Sequence, residues 1–373
     1  MPLTILQNDF KRQWEQVRAP VLAAVERVGA SGWYILGREV EAFETALAEF
    51  WGIARAVGVA NGMDALEIGL RCLNLQRGQK VLTTPLSAFA TTLAILRAGG
   101  VPVFVDVDDR GAVDLRQCRE LLERDETIRF LVPVHLYGFP VPMAELQRLK
   151  EDFALSVVED CAQAIGASDT QFSVGSVGQV AATSLYPTKN LGAFGDAGAL
   201  LTNDADIQGR AKALRNYGQT ALYRHAELGL NSRLDEVHAA IVLDALLPML
   251  QAWTETRREI AARYLEQIQN QSITLMQPRL GMEPVWHLFP VTVPERKREA
   301  FREHLRGGGV ATGFHYPQII PDQPAISGVA HEIAVEPVNA RRLASCEISL
   351  PIHPFLTDAE VDSVIALCNE WSP

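Results

Sequence analysis

Residues 154–163 read ALSVVEDCAQ. A short β-branched run, Val157-Val158, stops at two acids, Glu159 and Asp160, and Gln163 follows one turn later. Outward from this stretch, between residues 55 and 205, further runs at 81–83, 103–105 and 130–132 alternate with amphipathic stretches at 64–75, 91–98, 115–123 and 143–150. Strand, helix, strand at this spacing predicts an α/β fold, a mainly parallel sheet covered by helices on both faces. The runs at 180–185 and 199–202 have little between them, so a tight return sets these last strands side by side. Ligands of parallel sheets gather beyond the carboxyl ends of the strands. One of the two acids is therefore placed for a ligand, or else it caps a following helix.

Past Asp204 the texture changes. Stretches 207–216, 234–247 and 254–269 read as helices, and mixed segments rich in proline follow. A chain of 373 residues is long for one small domain. We expect a large domain over 1–250 and a smaller α+β domain over 251–373. With 34 Lys and Arg against 45 Asp and Glu, the net charge is −11. A broadly negative surface argues against nucleic acid or an anionic membrane as partner. The five cysteines are scattered without a CxxC, which suits a reducing, cytoplasmic compartment. Residues 1–18 carry charges throughout, so no leader peptide is expected. No apolar run reaches the roughly 18 residues of a bilayer span.

Lys189, in SLYPTKNLGAF (184–194), is the only Lys, Arg or His between Lys150 and Arg210. Most lysines are solvated surface charges. Burial in an apolar site would instead lower the pKa and supply the neutral amine that a Schiff base needs. Such a lysine requires an aldehyde cofactor. Pyridoxal phosphate also needs a carboxylate at its ring nitrogen and donors for its phosphate. Asp160 offers the first, and the hydroxyl of Ser184 can serve the second. GVANGMDAL (58–66) turns at Asn-Gly into an amphipathic helix. Its first N–H groups suit a phosphate dianion, although an ordinary strand–helix turn reads the same way. His331-Glu332 has no zinc-motif spacing, and no metal site is expected.

Taken together, GWYILGREVEAFE (32–44), GVANGMDAL (58–66), VPVHLYG (132–138), VVEDCAQAIGA (157–167), SLYPTKNLGAFGDAGALLTND (184–204), LRNYGQ (214–219), NSRLDEVHAAI (231–241) and SLPIHPFLT (349–357) run along nearly the whole chain. This series resembles the DegT/StrS-type sugar-nucleotide aminotransferases, within the fold-type-I pyridoxal-phosphate enzymes. The resemblance implies an aspartate-aminotransferase-like fold, with a seven-stranded sheet in the large domain. It implies that Lys189 bonds the cofactor and shuttles a proton, that Asp160 holds the ring nitrogen, and that Gln163 meets the phenolic oxygen. Ser184 and the Gly62-Met63 turn would hold the phosphate. Asn231 would reach the neighbouring subunit's phosphate, which implies a homodimer with shared active sites. From the residues alone, Asn231 reads as a helix cap before Leu234.

Relatives carry a ring-stacking aromatic where this chain has Ala88, with Phe89 one residue later. Either the turn shifts so that Phe89 stacks, or something smaller covers that face. The implied reaction moves an amino group from L-glutamate, released as 2-oxoglutarate, to a nucleotide-linked keto sugar. The cofactor alternates between pyridoxal and pyridoxamine phosphate. The Asn-Gly-Met form of the phosphate turn is similar to that of members acting on 3-keto rather than 4-keto sugars, and the expected acceptor is of the dTDP-3-keto-6-deoxyhexose type. Tyr186, His315 and Tyr316 are candidates for the sugar pocket; core packing or a structural role is the plainer reading of each. Arg215, Tyr223, Arg224 and Arg233 are candidates for the diphosphate. Two rivals stand beside this reading. A dehydratase of the same family would replace the lysine with histidine. A non-catalytic sensor or partner subunit would tolerate the change at Ala88.

Overall fold

The computed structural model describes residues 4–372. Seven strands form the large sheet: β1 (Arg55–Val59), β2 (Lys80–Thr83), β3 (Val101–Phe104), β4 (Phe130–Val132), β5 (Ser156–Asp160), β6 (Val180–Ser184) and β7 (Gly198–Thr202). Their order across the sheet is β1-β7-β6-β5-β4-β2-β3. Only β7 is reversed; it lies antiparallel to β1 and β6, as the short return between the last two runs requires. An eighth pairing was not expected. Glu332–Ile333 adds parallel to β3 at the edge, and Lys80 Nζ ties it down through Glu332 Oε2 at 2.9 Å. Two residues of strand leave no period to detect in a sequence.

The sheet is buried on both faces because strand side chains alternate. Val57, Val59, Val158, Ala182 and Leu200 pack with helix α3 (Gly62–Cys72). Their neighbours Ala56, Ala181, Ala199 and Leu201 pack on the other face against α1 (Phe10–Ser31), α2 (Arg38–Trp51) and α8 (Glu236–Ile241). Helices α4 (Phe89–Arg97), α5 (Leu115–Leu122), α6 (Met143–Asp152) and α7 (Ala205–Leu214) fill the connections. Helix α2 has no side-chain cap of its own. Buried Glu236 supplies one from 199 residues away, accepting the N–H groups of Gly37, Glu39 and Val40. Its charge also sits at the positive end of that helix.

The helices expected at 234–247 and 254–269 are joined. Helical backbone continues through 242–249 into α9 (Leu250–Gln267). This continuous run, Glu236–Gln267, is long and apolar enough to cross a bilayer, contrary to the sequence reading. Half of its most apolar window is buried inside the protein, where Ala239, Ala240, Val242, Ala245 and Leu246 pack on α1 and α2. It is therefore accounted for as a core helix.

Helix α9 joins two cores. Its start (Leu250, Trp253) belongs to the sheet core, and Ile260, Ala261 and Tyr264 belong to a second one. The second core lies on an antiparallel sheet of β8 (Thr274–Leu275), β9 (Phe289–Thr292) and β10 (Glu347–Leu350). Helices α10 (Arg298–Gly307), α11 (Val338–Cys346) and α12 (Asp358–Glu370) complete it. The segment 319–333 leaves this body to pack Ile320 and Ile326 on Phe104 of the large sheet.

Candidate active site

Strand β5 ends in two acids that alternate to opposite faces. Glu159 accepts the backbone N–H groups of Gly175, Val177 and Gly178 and the His135 ring at 2.9 Å. His135 uses its other nitrogen to accept the Val141 N–H. Cys161 brings its sulfur within 4.8 Å of this pair. Both carboxylate oxygens and both ring nitrogens are already spent on protein groups, so the cluster is a structural clasp.

Asp160 is different. It is 6% exposed, and its oxygens accept from Thr91 Oγ1 at 2.8 Å and Ala162 N at 3.1 Å. Turns rather than a helix follow it, so it has no helix to cap. A carboxylate offers about four lone-pair sites. Asp160 keeps spare capacity for a cationic N–H.

Lys189 lies just past β6, in a turn closed by its own N–H to the Tyr186 carbonyl. Burial pushes the amine down to about 8, against the opposing pull of Asp160. The solvated-surface reading fails for this side chain. Beside it, His287 is buried and pinned through Nδ1 to Asn190 Oδ1 at 3.1 Å, while Asn190 Nδ2 donates to the Val285 carbonyl. Burial, then Lys189, Arg257 and His315, holds His287 neutral. Nothing local in the sequence marks this pair, whose members stand 97 residues apart.

A third group of donors closes the far end. Asn61 caps α3, its side chain accepting the Asp64 N–H at 2.8 Å. The N–H groups of Gly62 and Met63 have no partner inside the helix. A Cβ on Gly62 would lie 2.6 Å from Cβ of Ser184, and one on Gly198 would lie 2.4 Å from the Asn61 carbonyl carbon. Only glycine lets these three backbones close into one cradle. Ser184 Oγ accepts the Tyr186 N–H, which leaves its own proton to donate. Half-buried Phe89 packs on Phe104, Ile320 and Ile326.

Gln163 spans the two bodies. Its Oε1 accepts the Tyr137 N–H at 2.7 Å, and its Nε2 donates to Tyr316 Oη at 3.2 Å. Tyr137 Oη in turn donates to the His315 carbonyl at 2.7 Å. His315 and Tyr316 are thereby brought to the site. Burial and Lys189 hold the His315 imidazole down to about 4. Tyr186 is 51% exposed, which excludes core packing for it. Asn231 is exposed and does not cap a helix; Asp235 caps α8. One arginine candidate is corrected. Arg215 is buried, with Nη1 on Glu44 and on the Gly58 carbonyl, and its electrostatics are consumed there. Arg233 lies 5.1 Å over the Tyr217 ring, and Tyr223 and Arg224 are exposed.

Comparison with known proteins gives the same direction. The dTDP-3-amino-3,4,6-trideoxy-alpha-D-glucose transaminase of Streptomyces venezuelae is 40% identical, over 98% of this chain and 95% of its own. The crystal structure of S. venezuelae DesV in complex with a ketimine intermediate superposes with a TM-score of 0.93 at 39% identity, covering 100% of this chain and 99% of that one. NtdA from Bacillus subtilis with bound cofactor PMP matches at a TM-score of 0.88 and 27% identity, over 96% and 83% of the two chains. A lysine of lowered pKa opposite a buried acid, beside a glycine-lined cradle, is chemistry an aminotransferase uses, and residues 16–368 match the family model: the chain belongs to the DegT/DnrJ/EryC1/StrS aminotransferase family.

Proposed function

We propose that the protein transfers an amino group from L-glutamate to a nucleotide-linked keto sugar, with a dTDP-3-keto-6-deoxyhexose as the favoured acceptor. One observation carries this reading: Lys189, with its pKa pushed down to about 8, shares a site with buried Asp160. The similarity to the S. venezuelae dTDP-3-amino sugar transaminase supports the position and the carrier.

The residues fit pyridoxal phosphate. The cradle that any Cβ at Gly62 or Gly198 would fill has the backbone N–H and hydroxyl donors a phosphate needs. The acid with unused lone pairs suits a pyridinium N–H. When bound, that cofactor supplies the carbonyl that takes up the amine and a ring that holds the electron pair. The chain supplies the rest. Asp160, oriented by Thr91, would keep positive charge on the ring nitrogen. Gln163 would meet the phenolic oxygen, and half-buried Phe89 would cover one ring face. Ser184, Gly62 and Met63 bind the phosphate. Lys189 Nζ would hold the cofactor at its carbonyl carbon and, once displaced by the substrate's amine, would take up and return a proton as a neutral amine. His315, Tyr316 and exposed Tyr186 line the sugar side.

The assembly is a homodimer. Trp33, Tyr34 and Ile35 are exposed next to α8, where Ile35 bridges Asp235. Leu222 (78%) and Tyr223 (87%) at the tip of the 219–225 hairpin, and Leu228 (89%) just past it, are exposed as well. An apolar surface of this kind calls for a partner. Exposed Asn231 in the same region then reaches the phosphate end of the other protomer's site. Five unpaired cysteines, four of them buried, suit the cytoplasm. The dehydratase rival loses its ground at Lys189, which it would replace with histidine.

The test is a coupled assay. Holoenzyme is given L-glutamate and dTDP-, UDP- or GDP-linked 3-keto-6-deoxyhexose, and 2-oxoglutarate and amino sugar are quantified by mass spectrometry. Equimolar products from the dTDP sugar are expected. Release of 2-oxoglutarate with no acceptor aminated would sink the sugar assignment.

A further inference from the structure

Strand β10 carries two polar side chains that the chemistry above does not use. Glu347 and Ser349 are 1% and 0% exposed, and being two residues apart they share one face. Glu347 Oε2 accepts the backbone N–H of His315 at 2.7 Å. Its Oε1 accepts the Ser349 hydroxyl at 2.5 Å. Ser349 Oγ also lies 2.9 Å from His315 Nδ1. Both oxygens of a buried acid are thus devoted to one residue, first to its backbone and then, through a serine, to its ring.

The donors and acceptors can be counted. A hydroxyl has one proton to give and two lone pairs. Once Ser349 donates to the carboxylate, it can only accept from the imidazole. Nδ1 must therefore carry the ring proton. A neutral ring then leaves Nε2 with a bare lone pair. Among the described residues Nε2 bonds no protein group, and the half-buried ring lies near enough to Lys189 to feel its charge.

We infer that Glu347, acting through Ser349, fixes His315 as its Nδ1–H tautomer and so makes Nε2 a hydrogen-bond acceptor for a hydroxyl of the sugar substrate. The identity of that donor rests on the proposed function; the tautomer does not. Glu347 is a positioning residue, since it touches no reacting atom. Arg298, Tyr137 and Tyr316 are its other charged or titratable neighbours. Burial pushes the acid up to about 7, with the His315 N–H, Ser349 and Arg298 opposing, so the carboxylate is ionised in buffer well above that pH.

The experiment uses holoenzyme labelled with [15N]histidine, in buffer well above pH 7, with His315→Asn to identify the resonance. Two-bond 1H–15N correlations report which ring nitrogen is protonated. Wild type is expected to show Nδ1–H and bare Nε2. In Glu347→Gln an oxygen must still accept the His315 N–H, so the NH2 group takes the other position and donates to Ser349. The hydroxyl then donates to Nδ1, and the ring proton is expected on Nε2. Ser349→Ala cuts the link and is expected to mix the tautomers. In Glu347→Gln, KM for the dTDP-linked 3-keto sugar should rise about tenfold, as a lost hydrogen bond of about 1.4 kcal/mol gives. The half-reaction with L-glutamate should keep its rate. Nε2–H in wild type, or an unchanged tautomer in both variants, overturns the inference. Should Glu347→Gln fail to fold, the wild-type spectrum and Ser349→Ala decide. Wild type that holds Nδ1–H yet aminates no keto sugar overturns the substrate reading alone. Wild type that shows Nε2–H and turns over normally overturns this inference alone.

Discussion

Glu159 and Asp160 are consecutive, both buried, and chemically near-identical, yet they sit in opposite circumstances. Glu159 faces three backbone N–H groups and a histidine, and every lone pair has a use. Asp160 faces a threonine, one N–H and a half-buried lysine amine whose pKa it pulls upward. The first acid fastens the loop at 175–178 to the sheet. The second holds capacity in reserve at the sheet's ligand-binding edge. Unspent hydrogen-bonding capacity, rather than burial, separates chemistry from scaffolding here.

That contrast can be broken by substitution. Removing the amine has the largest expected effect. Lys189→Ala should abolish transamination while circular dichroism and thermal melting stay those of the wild type; retained turnover would remove the lysine from the mechanism. Asp160→Asn comes next. The shape is kept and the charge lost, so kcat should fall by about 10²–10⁴, the usual span for a misplaced protonation state. Stopped-flow rates of the glutamate half-reaction read it directly.

Glu159→Ala should act on the other side of the comparison. It strands buried donors, so stability in urea should fall by about 3–5 kcal/mol. The protein that remains folded should keep its turnover per molecule. Equal losses of turnover in the Glu159 and Asp160 variants would erase the distinction between them. The smallest effect is a pH profile. Because burial lowers the Lys189 pKa, the amine loses its proton at lower pH than a solvated lysine does. The rate of cofactor attachment should therefore rise through about 8 and level off above it; a rise delayed to the ordinary value of 10.5 would show a solvated amine.

Much of this was legible in local sequence. A β-branched run ending in acids announces the edge of a parallel sheet, and Asn-Gly before an amphipathic helix announces its N-terminus. Lys189 stands out because no other cation is nearby in the chain. The parts that escaped depend on distant pairs. Gln163 meets Tyr316 across 153 residues, and Asn190 meets His287 across 97. Neither contact leaves a period or a spacing to read. Arg215 was misread for the same reason. Its basic neighbourhood suggests an anion, but Glu44, 171 residues away, already occupies it. The helix at 236–267 runs on through Pro248 because this proline falls in the first turn of the segment starting at Leu247, where its missing N–H costs nothing.

The central claim is that Lys189 Nζ bonds the cofactor carbonyl opposite Asp160. Protein loaded with pyridoxal phosphate is reduced with borohydride, digested and mapped by mass spectrometry. The account predicts a single pyridoxyl-bearing peptide, modified at Lys189. A modification at any other lysine, or an unmodified Lys189 peptide after full reduction, would contradict it.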